Sequence, residues 1–258
     1  MLDGIGSLSA WAVLQRRGEA LAARFAERRD NAADVARFRE RAQQITSVEE
    51  LLRDRRTLSF VLEAFQLETE VDKRAVIRRL LTEDPADPRS FANRMVDRRY
   101  REVNAVFGGR SGPPLRDAAL VERIVREALA NRFEKAAGEG NPGLREALYF
   151  RRMAAGITDV NRLMADRALT AVVRGALGLP KEFGLLAFEQ QKRILEQRVP
   201  FADLRDPQAV GRLVQRYLSA QPAAEGAGGD PRLALLAPGQ SGPAGLLGLV
   251  GGGLSLRA

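Results

Sequence analysis

Two dipeptides invite a chemical reading. Asp54-Arg55 and Asp166-Arg167 stand at the same point of two similar stretches of the chain. A duplicated carboxylate beside a guanidinium could serve general acid–base chemistry, but that work needs a cleft and a setting that moves the carboxyl pKa. No sequence signal marks either, so the expectation is a helix-end ion pair or capping contact that orients the next helix. Gly108-Gly109-Arg110-Ser111-Gly112 lacks both the Gly-Lys-Ser/Thr ending and the preceding apolar strand of a phosphate loop, and Gly251-Gly252-Gly253 has the same defects. Glu68, Glu70 and Asp72 do not follow the order of a calcium-binding loop. The chain holds no His and no Cys. Cys/His zinc sites, thiolate nucleophiles and imidazole catalysis are thereby excluded. No catalytic, cofactor-binding or metal-binding residue is expected, and the chain reads as a non-enzyme.

The formal charge is +8, carried mostly by Arg, since only Lys73, Lys135, Lys181 and Lys192 are lysines. The basic residues are spread along the chain. Nucleic-acid binding asks for a concentrated basic face, so nucleic acid is the alternative partner rather than the first. The longest apolar run, Ala244 to Val250, falls far short of the roughly 20 residues a spanning helix needs. Met1 to Trp11 lacks the basic start and long apolar core of a secretory leader. A soluble protein is expected, with no membrane span.

The chain also matches itself. ITSVEELLRDRRTLSFVLEAFQL (Ile45–Leu67) and ITDVNRLMADRALTAVVRGALGL (Ile157–Leu179) are identical at nine of 23 positions, Asp54/Asp166 and Arg55/Arg167 among them. Upstream, Leu21 to Phe25 faces Leu129 to Phe133, and Phe38-Arg39 faces Phe150-Arg151. Downstream, Asp87-Pro88 followed by Arg94-Met95-Val96 is set against Asp206-Pro207 followed by Arg212-Leu213-Val214. The expected organisation is therefore a helix start at 1–19, one helical module at 20–108, a linker and connecting helix at 109–127, and a second copy at 128–220. Gly108 to Pro114 reads as the joint.

Both modules should be helical. Hydrophobic residues make up 45% of the chain but aromatics only 6%, and Ala and Leu are plentiful, which favours helices over sheets. Ser47-x-x-Glu50 has the form of a capping box, and Asp159 offers a similar cap in the second stretch. Asp87-Pro88 and Asp206-Pro207 both look like helix starts, because Asp caps and Pro presets φ at the first helical position; Asn141-Pro142 has the same form. Apolar residues between these signals follow helical spacing. The fold class is all-α, with about ten helices over 8–29, 32–43, 48–64, 69–82, 88–107, 115–137, 142–154, 160–177, 181–197 and 207–219. From Gln221 onward the chain is rich in Gly, Pro and Ala, and is expected to be a flexible tail carrying two apolar islands, Leu233 to Leu236 and Leu246 to Val250.

Taken in order, the blocks ITSVEELLRDRRTLSFVLEAFQL, RSFANRMVDRRYREVNAVFG, REALYFRRMAAGITDV, ALGLP and DLRDPQAVGRLVQRYL resemble an uncharacterised bacterial family, a domain of unknown function found mainly in alphaproteobacteria. Leu8 to Arg16 resembles the start of such proteins. The likeness covers about residues 8–220. What it implies is a helical protein encoded in flagellar gene clusters near rod and export components. It would be a structural or assembly factor of the basal body with basal-body or export proteins as partners, located in the cytoplasm or at the basal body. It implies no catalytic residue.

Overall fold

The structure, a computed structural model, describes Leu2 and residues 5–221. Among the described residues it is all-helical, with thirteen α-helices, four short 3-10 turns and no strand. The helices are α1 (Ser7–Ala26), α2 (Arg29–Gln44), α3 (Val48–Arg53), α4 (Arg55–Ala64), α5 (Arg74–Thr82), α6 (Phe91–Arg94) and α7 (Arg98–Phe107), then α8 (Ala118–Gly138), α9 (Leu144–Met153), α10 (Val160–Met164), α11 (Arg167–Ala176), α12 (Phe188–Arg198) and α13 (Pro207–Ser219). The expected tail, with its two apolar islands, lies outside the described residues.

Thirteen helices stand where about ten were expected because three aspartates interrupt long apolar stripes. Asp54 ends α3 and caps α4. Asp166 caps α11 just after α10. Asp97 separates α6 from α7. In each case the carboxylate accepts from backbone N–H groups of the following turn, and that competition with helical bonding turns the chain.

Two apolar cores are built. The first runs from Val35 to Ala128 and is centred on Leu51, Leu58, Val61, Leu62, Ile77 and Leu80. The second gathers Phe133 to Leu218 and also Ala10, Trp11, Leu14 and Phe25 of α1. The long helix α8 serves both: Leu120, Val121, Ile124, Val125 and Ala128 face the first, Phe133 and Ala137 the second. A helix apolar on several sides is one packed on several sides.

Three expectations about boundaries are corrected here. The N-terminal helix runs unbroken across residue 20, as the expected span 8–29 has it, so the module boundary drawn there marks no break in the chain. Helix α1 is continuous from Ser7 to Ala26, and its buried side chains belong to the second core. The segment 109–127, expected as a linker and connecting helix, does hold the start of α8, but it packs into the first core. Leu115 is fully buried in the first core with the front half of α8. The preceding glycines serve close packing instead: a Cβ on Gly112 would run into the Thr46 carbonyl oxygen, and one on Gly108 into the Glu83 carbonyl oxygen. Asn141-Pro142 does not begin a helix either. Helix α9 begins at Leu144 after Gly143 at φ 78, and Asn141 is buried with its amide aimed at the Leu2 carbonyl oxygen, 3.3 Å away.

The downstream pairing of the two stretches is corrected as well. Asp87 starts no helix. Its carboxylate accepts from the Arg89 N–H at 2.9 Å in a turn, and α6 begins at Phe91, capped by Ser90. Asp206 does cap a helix, accepting from the Gln208 and Ala209 N–H groups with Pro207 at the first turn of α13. The element that packs on α4 as α13 packs on α11 is α8. Asp117 caps α8 by accepting from Ala119 and Leu120, the same offsets as at Asp206. Leu115 to Leu129 set against Leu204 to Leu218 is identical at seven of 15 positions: Leu115, Arg116, Asp117, Val121, Arg123, Val125 and Leu129. Leu115 and Leu204 are both buried, as are Val121 and Val210. Segment 83–114, with α6 and α7, lies between α5 and α8.

Candidate functional site

The eight residues singled out from the sequence stand at four separate turns and do not converge. Asp54 accepts from the Thr57 N–H at 3.1 Å and from Arg41 at 2.9 Å, with Arg37 at 3.9 Å. Burial opposes its ionisation, but these donors outweigh burial and hold its pKa below the usual value. Arg55 pairs with Asp72 on the surface. Asp166 is 8% exposed and accepts from Ala168 and Leu169 N–H groups and, at 2.6 Å, from the Tyr149 hydroxyl. Burial, then the charge of Asp166, pushes the Tyr149 phenol far above its usual range. Arg167 has no ion-pair partner among the described residues. Asp87-Pro88 sits in a turn, and Asp206-Pro207 opens α13. Each of the four aspartates holds backbone geometry; none faces another carboxylate or a base.

The partners of Asp54 and Asp166 occupy equivalent places. With Ile45 set on Ile157, Arg37 falls on Tyr149. One position on the preceding helix thus lies beside the capping Asp in both stretches: the Tyr149 hydroxyl donates to Asp166 at 2.6 Å, whereas Arg37 only approaches Asp54 at 3.9 Å and Arg41 is the donor there.

A second charged cluster was not visible in the sequence. Arg152 on α9 donates from Nε to Glu134 Oε1 at 2.7 Å, from Nη2 to Glu134 Oε2 at 3.1 Å, and from Nη1 to Glu127 Oε2 at 2.6 Å. It also lies 5.3 Å from the Tyr149 ring centre. Glu127 and Glu134, seven residues apart on α8, share a face; that spacing was the available signal. Burial raises the Glu134 pKa above the usual carboxylate value against the opposing pull of Arg152. This triad ties α8 to α9. The Arg152 guanidinium is spent on two carboxylates, so the cluster reads as structural.

A cavity of about 380 Å³ lies between α2, α4 and α8, with Arg37, Phe38, Arg56, Thr57, Phe60 and Arg132 among its walls. Phe38 and Phe60 are buried and stack with ring centres 4.6 Å apart, forming an apolar floor. Arg132 reaches across from α8, 5.1 Å from the Phe60 ring centre, and donates to Glu63 at 2.8 Å and Asp34 at 2.9 Å. Burial opposes its charge, yet these carboxylates keep its pKa above the ordinary arginine value. Arg37 keeps only the 3.9 Å contact to Asp54, and Arg56 has no hydrogen-bond or ion-pair partner among the described residues. The side chains come from three distant segments, and no local motif announces them.

A different surface is apolar. Leu185 is 86% exposed, Phe188 56% and Leu186 38%, all between the 3-10 turn Lys181–Leu185 and the start of α12. Three large apolar side chains within four residues make a concentrated patch, unlike singly scattered ones.

Among the described residues, no helix is long and apolar enough to cross a membrane, and no three His, Cys, Asp or Glu side chains are grouped to hold a metal. A comparison with curated proteins returns no match. The X-ray crystal structure of a protein from Agrobacterium tumefaciens, a structural-genomics target, is similar with a TM-score of 0.74 and 27% identity, over 83% of this chain and 92% of that one. A family model described as "Protein of unknown function (DUF1217)" matches residues 64–210. That stretch takes in α5 to α12, the back of the first core and most of the second, so this chain belongs to the DUF1217 family.

Proposed function

We propose that this chain is a non-enzymatic, flagellum-associated protein, a structural or assembly factor of the basal body that acts by binding other proteins. The observation that carries the binding part is the exposed apolar segment Leu185, Leu186 and Phe188. Its exposure leaves apolar surface in water that a partner could cover, and concentrated patches of this kind mark interaction sites. The flagellar part rests on the resemblance of the ordered blocks over residues 8–220. On this reading the partners are basal-body or export proteins, and the chain works in the cytoplasm or at the basal body. The same reading takes the two cores as descendants of one duplicated module, supported by Asp54 and Asp166 at equivalent corners and by Asp117 and Asp206 at equivalent caps.

A pull-down from flagellated cells, with the wild-type chain and the Leu185→Ser/Phe188→Ser variant as baits, tests this. Both side chains are exposed, so the variant should melt within about 0.5 kcal/mol of wild type. Flagellar components should be captured by the wild type and lost from the variant. No flagellar component on either bait, together with normal motility in a deletion strain, removes the reading.

One observation favours a second reading. Arg212 and Arg216 line a shallow hollow on α13 with no ion-pair partner among the described residues. They would suit a nucleic-acid backbone. Affinity for duplex DNA would then fall steeply with salt, because each neutralised phosphate releases counterions. No binding at low salt ends that alternative.

A further inference from the structure

We propose that the cavity between α2, α4 and α8 is a docking site for an acidic peptide segment of a partner protein, with Arg37 and Arg56 taking its carboxylates. This rests on the reading that the chain works by protein–protein binding, and it names a second surface and a partner chemistry for it.

The cavity has a built wall and a built floor. Arg132 is fixed by Glu63, by Asp34 and by a 3.1 Å bond to Asn31 Oδ1, and it lies against the Phe60 ring. Phe38 and Phe60 seal the base with stacked rings. Two guanidiniums on the rim remain without a full set of partners. Arg56 has none among the described residues, and Arg37 reaches only a carboxylate already bonded to Arg41 and to the Thr57 N–H. A planar guanidinium matches a carboxylate with two parallel hydrogen bonds, so two guanidiniums that make no hydrogen bond among the described residues, above an apolar floor, suit an acidic side chain with apolar atoms beside it.

The second half of the chain supplies an internal control. Setting Ile45 on Ile157 places Arg37 on Tyr149, Arg56 on Ala168, Thr57 on Leu169, Ser59 on Ala171 and Phe60 on Val172. There Leu169 and Val172 are buried in the second core, and Tyr149 bonds Asp166. The same helix corner is therefore built with Tyr149 and Ala168 at the places of Arg37 and Arg56. The second stretch shows that this helix corner does not require arginines at these two places, and neither Arg37 nor Arg56 makes a hydrogen bond among the described residues that would hold it there. A polynucleotide suits the place poorly, because Asp34, Asp54 and Glu63 border the arginines and would repel a run of phosphates. A single carboxylate meets only the two guanidiniums. The net charge of +8 would steer an acidic partner toward the chain.

The test is fluorescence anisotropy of a rhodamine-labelled peptide carrying one glutamate between apolar residues, with the full chain at low salt. Three proteins are compared: wild type, Arg37→Ala/Arg56→Ala, and Arg212→Ala/Arg216→Ala, which removes the same charge elsewhere. Arg56→Ala alone, which disturbs no partner, stands in should the first double variant melt early. Losing the charge-assisted hydrogen bonds of the two guanidiniums should weaken binding by about tenfold in the cavity variant, and the charge-matched control should stay near wild type. Equal losses in both variants would reduce the effect to bulk charge and overturn the proposal, as would no peptide binding at all. Binding of a duplex DNA 20-mer that depends on Arg37 and Arg56 while the peptide does not bind would also overturn it. None of these outcomes touches the Leu185 and Phe188 patch, whose test is separate.

Discussion

At the scale of the residue, equivalent aspartates carry unequal loads. Asp54 and Asp166 both cap a helix, but only Asp166 also accepts the hydroxyl of a buried tyrosine. Removing a cap costs about 1 kcal/mol, and leaving the Tyr149 hydroxyl unpaired in the interior adds about 1–3 kcal/mol. Asp166→Ala should therefore lower the melting temperature clearly more than Asp54→Ala. Adding Tyr149→Phe to Asp166→Ala should restore part of the loss, because the orphaned hydroxyl goes with it. Equal melting temperatures for the two single variants would remove the special role of the phenol. Acid should act through carboxylates held below their usual pKa. Asp54, Glu83 and Asp97 are partly buried, which opposes ionisation, yet backbone N–H and guanidinium donors hold each pKa below the usual value. A depressed folded pKa gives stability that is present above the unfolded carboxylate pKa of about 4 and lost as pH falls through the folded value. Glu134 runs the other way. Its raised pKa makes its charge a cost above that pKa, and protonation relieves it. Three losses against one relief should bring the urea midpoint down between pH 7 and pH 3, and Glu134→Gln should not prevent that fall.

At the scale of the element, the ends of α4 and α11 offer a matched experiment. Each closes with an N–H bonding back five residues, Leu67 to Leu62 at 2.9 Å and Leu179 to Arg174 at 3.0 Å, and each needs a left-handed residue just before. That residue is Gly178 at φ 62 in one and Gln66 at φ 56 in the other. A side chain in this region costs about 1 kcal/mol that glycine does not. Gln66→Gly should raise stability by up to about that amount, and Gly178→Gln should lower it similarly, since a Cβ at Gly178 meets nothing within 4 Å. Denaturant midpoints would check both; a fall in the first would show that Gln66 earns its place by a contact. The bond from Arg99 Nη1 to the Gln66 carbonyl oxygen survives either residue. The sequence announced such ends unevenly. Ser47 and Glu50 form the reciprocal box their spacing implied, and Asp206-Pro207 opens α13 as written. Asp87-Pro88 carries the same letters but closes a turn, because its carboxylate finds the Arg89 N–H and Ser90 takes the cap. A cap motif fixes only the next turn; whether a helix follows depends on the apolar face behind it. At Asp54 and Asp166 two signals competed: the dipeptides had the form of a helix-end cap, while the apolar stripe continues through them and suggested single helices over 48–64 and 160–177. The cavity was less legible still. Arg37, Arg56 and Arg132 look like ordinary solvated arginines until α2, α4 and α8 are packed together.

At the scale of the whole molecule, the division of labour between the cores sets how the chain should open. Helix α8 is continuous and contributes buried side chains to both cores, so no loop separates them along this element. Helix α1 is held differently. It begins the chain yet inserts Trp11 and Leu14 into the second core, while Arg151 lies 5.8 Å from the Trp11 ring centre and Ser7 bonds the Pro142 carbonyl oxygen at 3.0 Å. Its removal should act at a distance in sequence. Truncating a buried Trp costs about 3–5 kcal/mol, a large share of the roughly 5–15 kcal/mol that holds an ordinary domain folded. Trp11→Ala, or deletion of residues 1–26, should therefore speed amide exchange in α9, α11 and α13 and leave α3, α4 and α5 nearly as protected as before. Hydrogen-exchange mass spectrometry separates the two regions. Uniform loss of protection would mean that α8 couples the cores into one cooperative unit. Earlier loss in α3 to α5 would mean that α1 supports the core nearest to it in sequence, against the packing of Trp11 and Leu14.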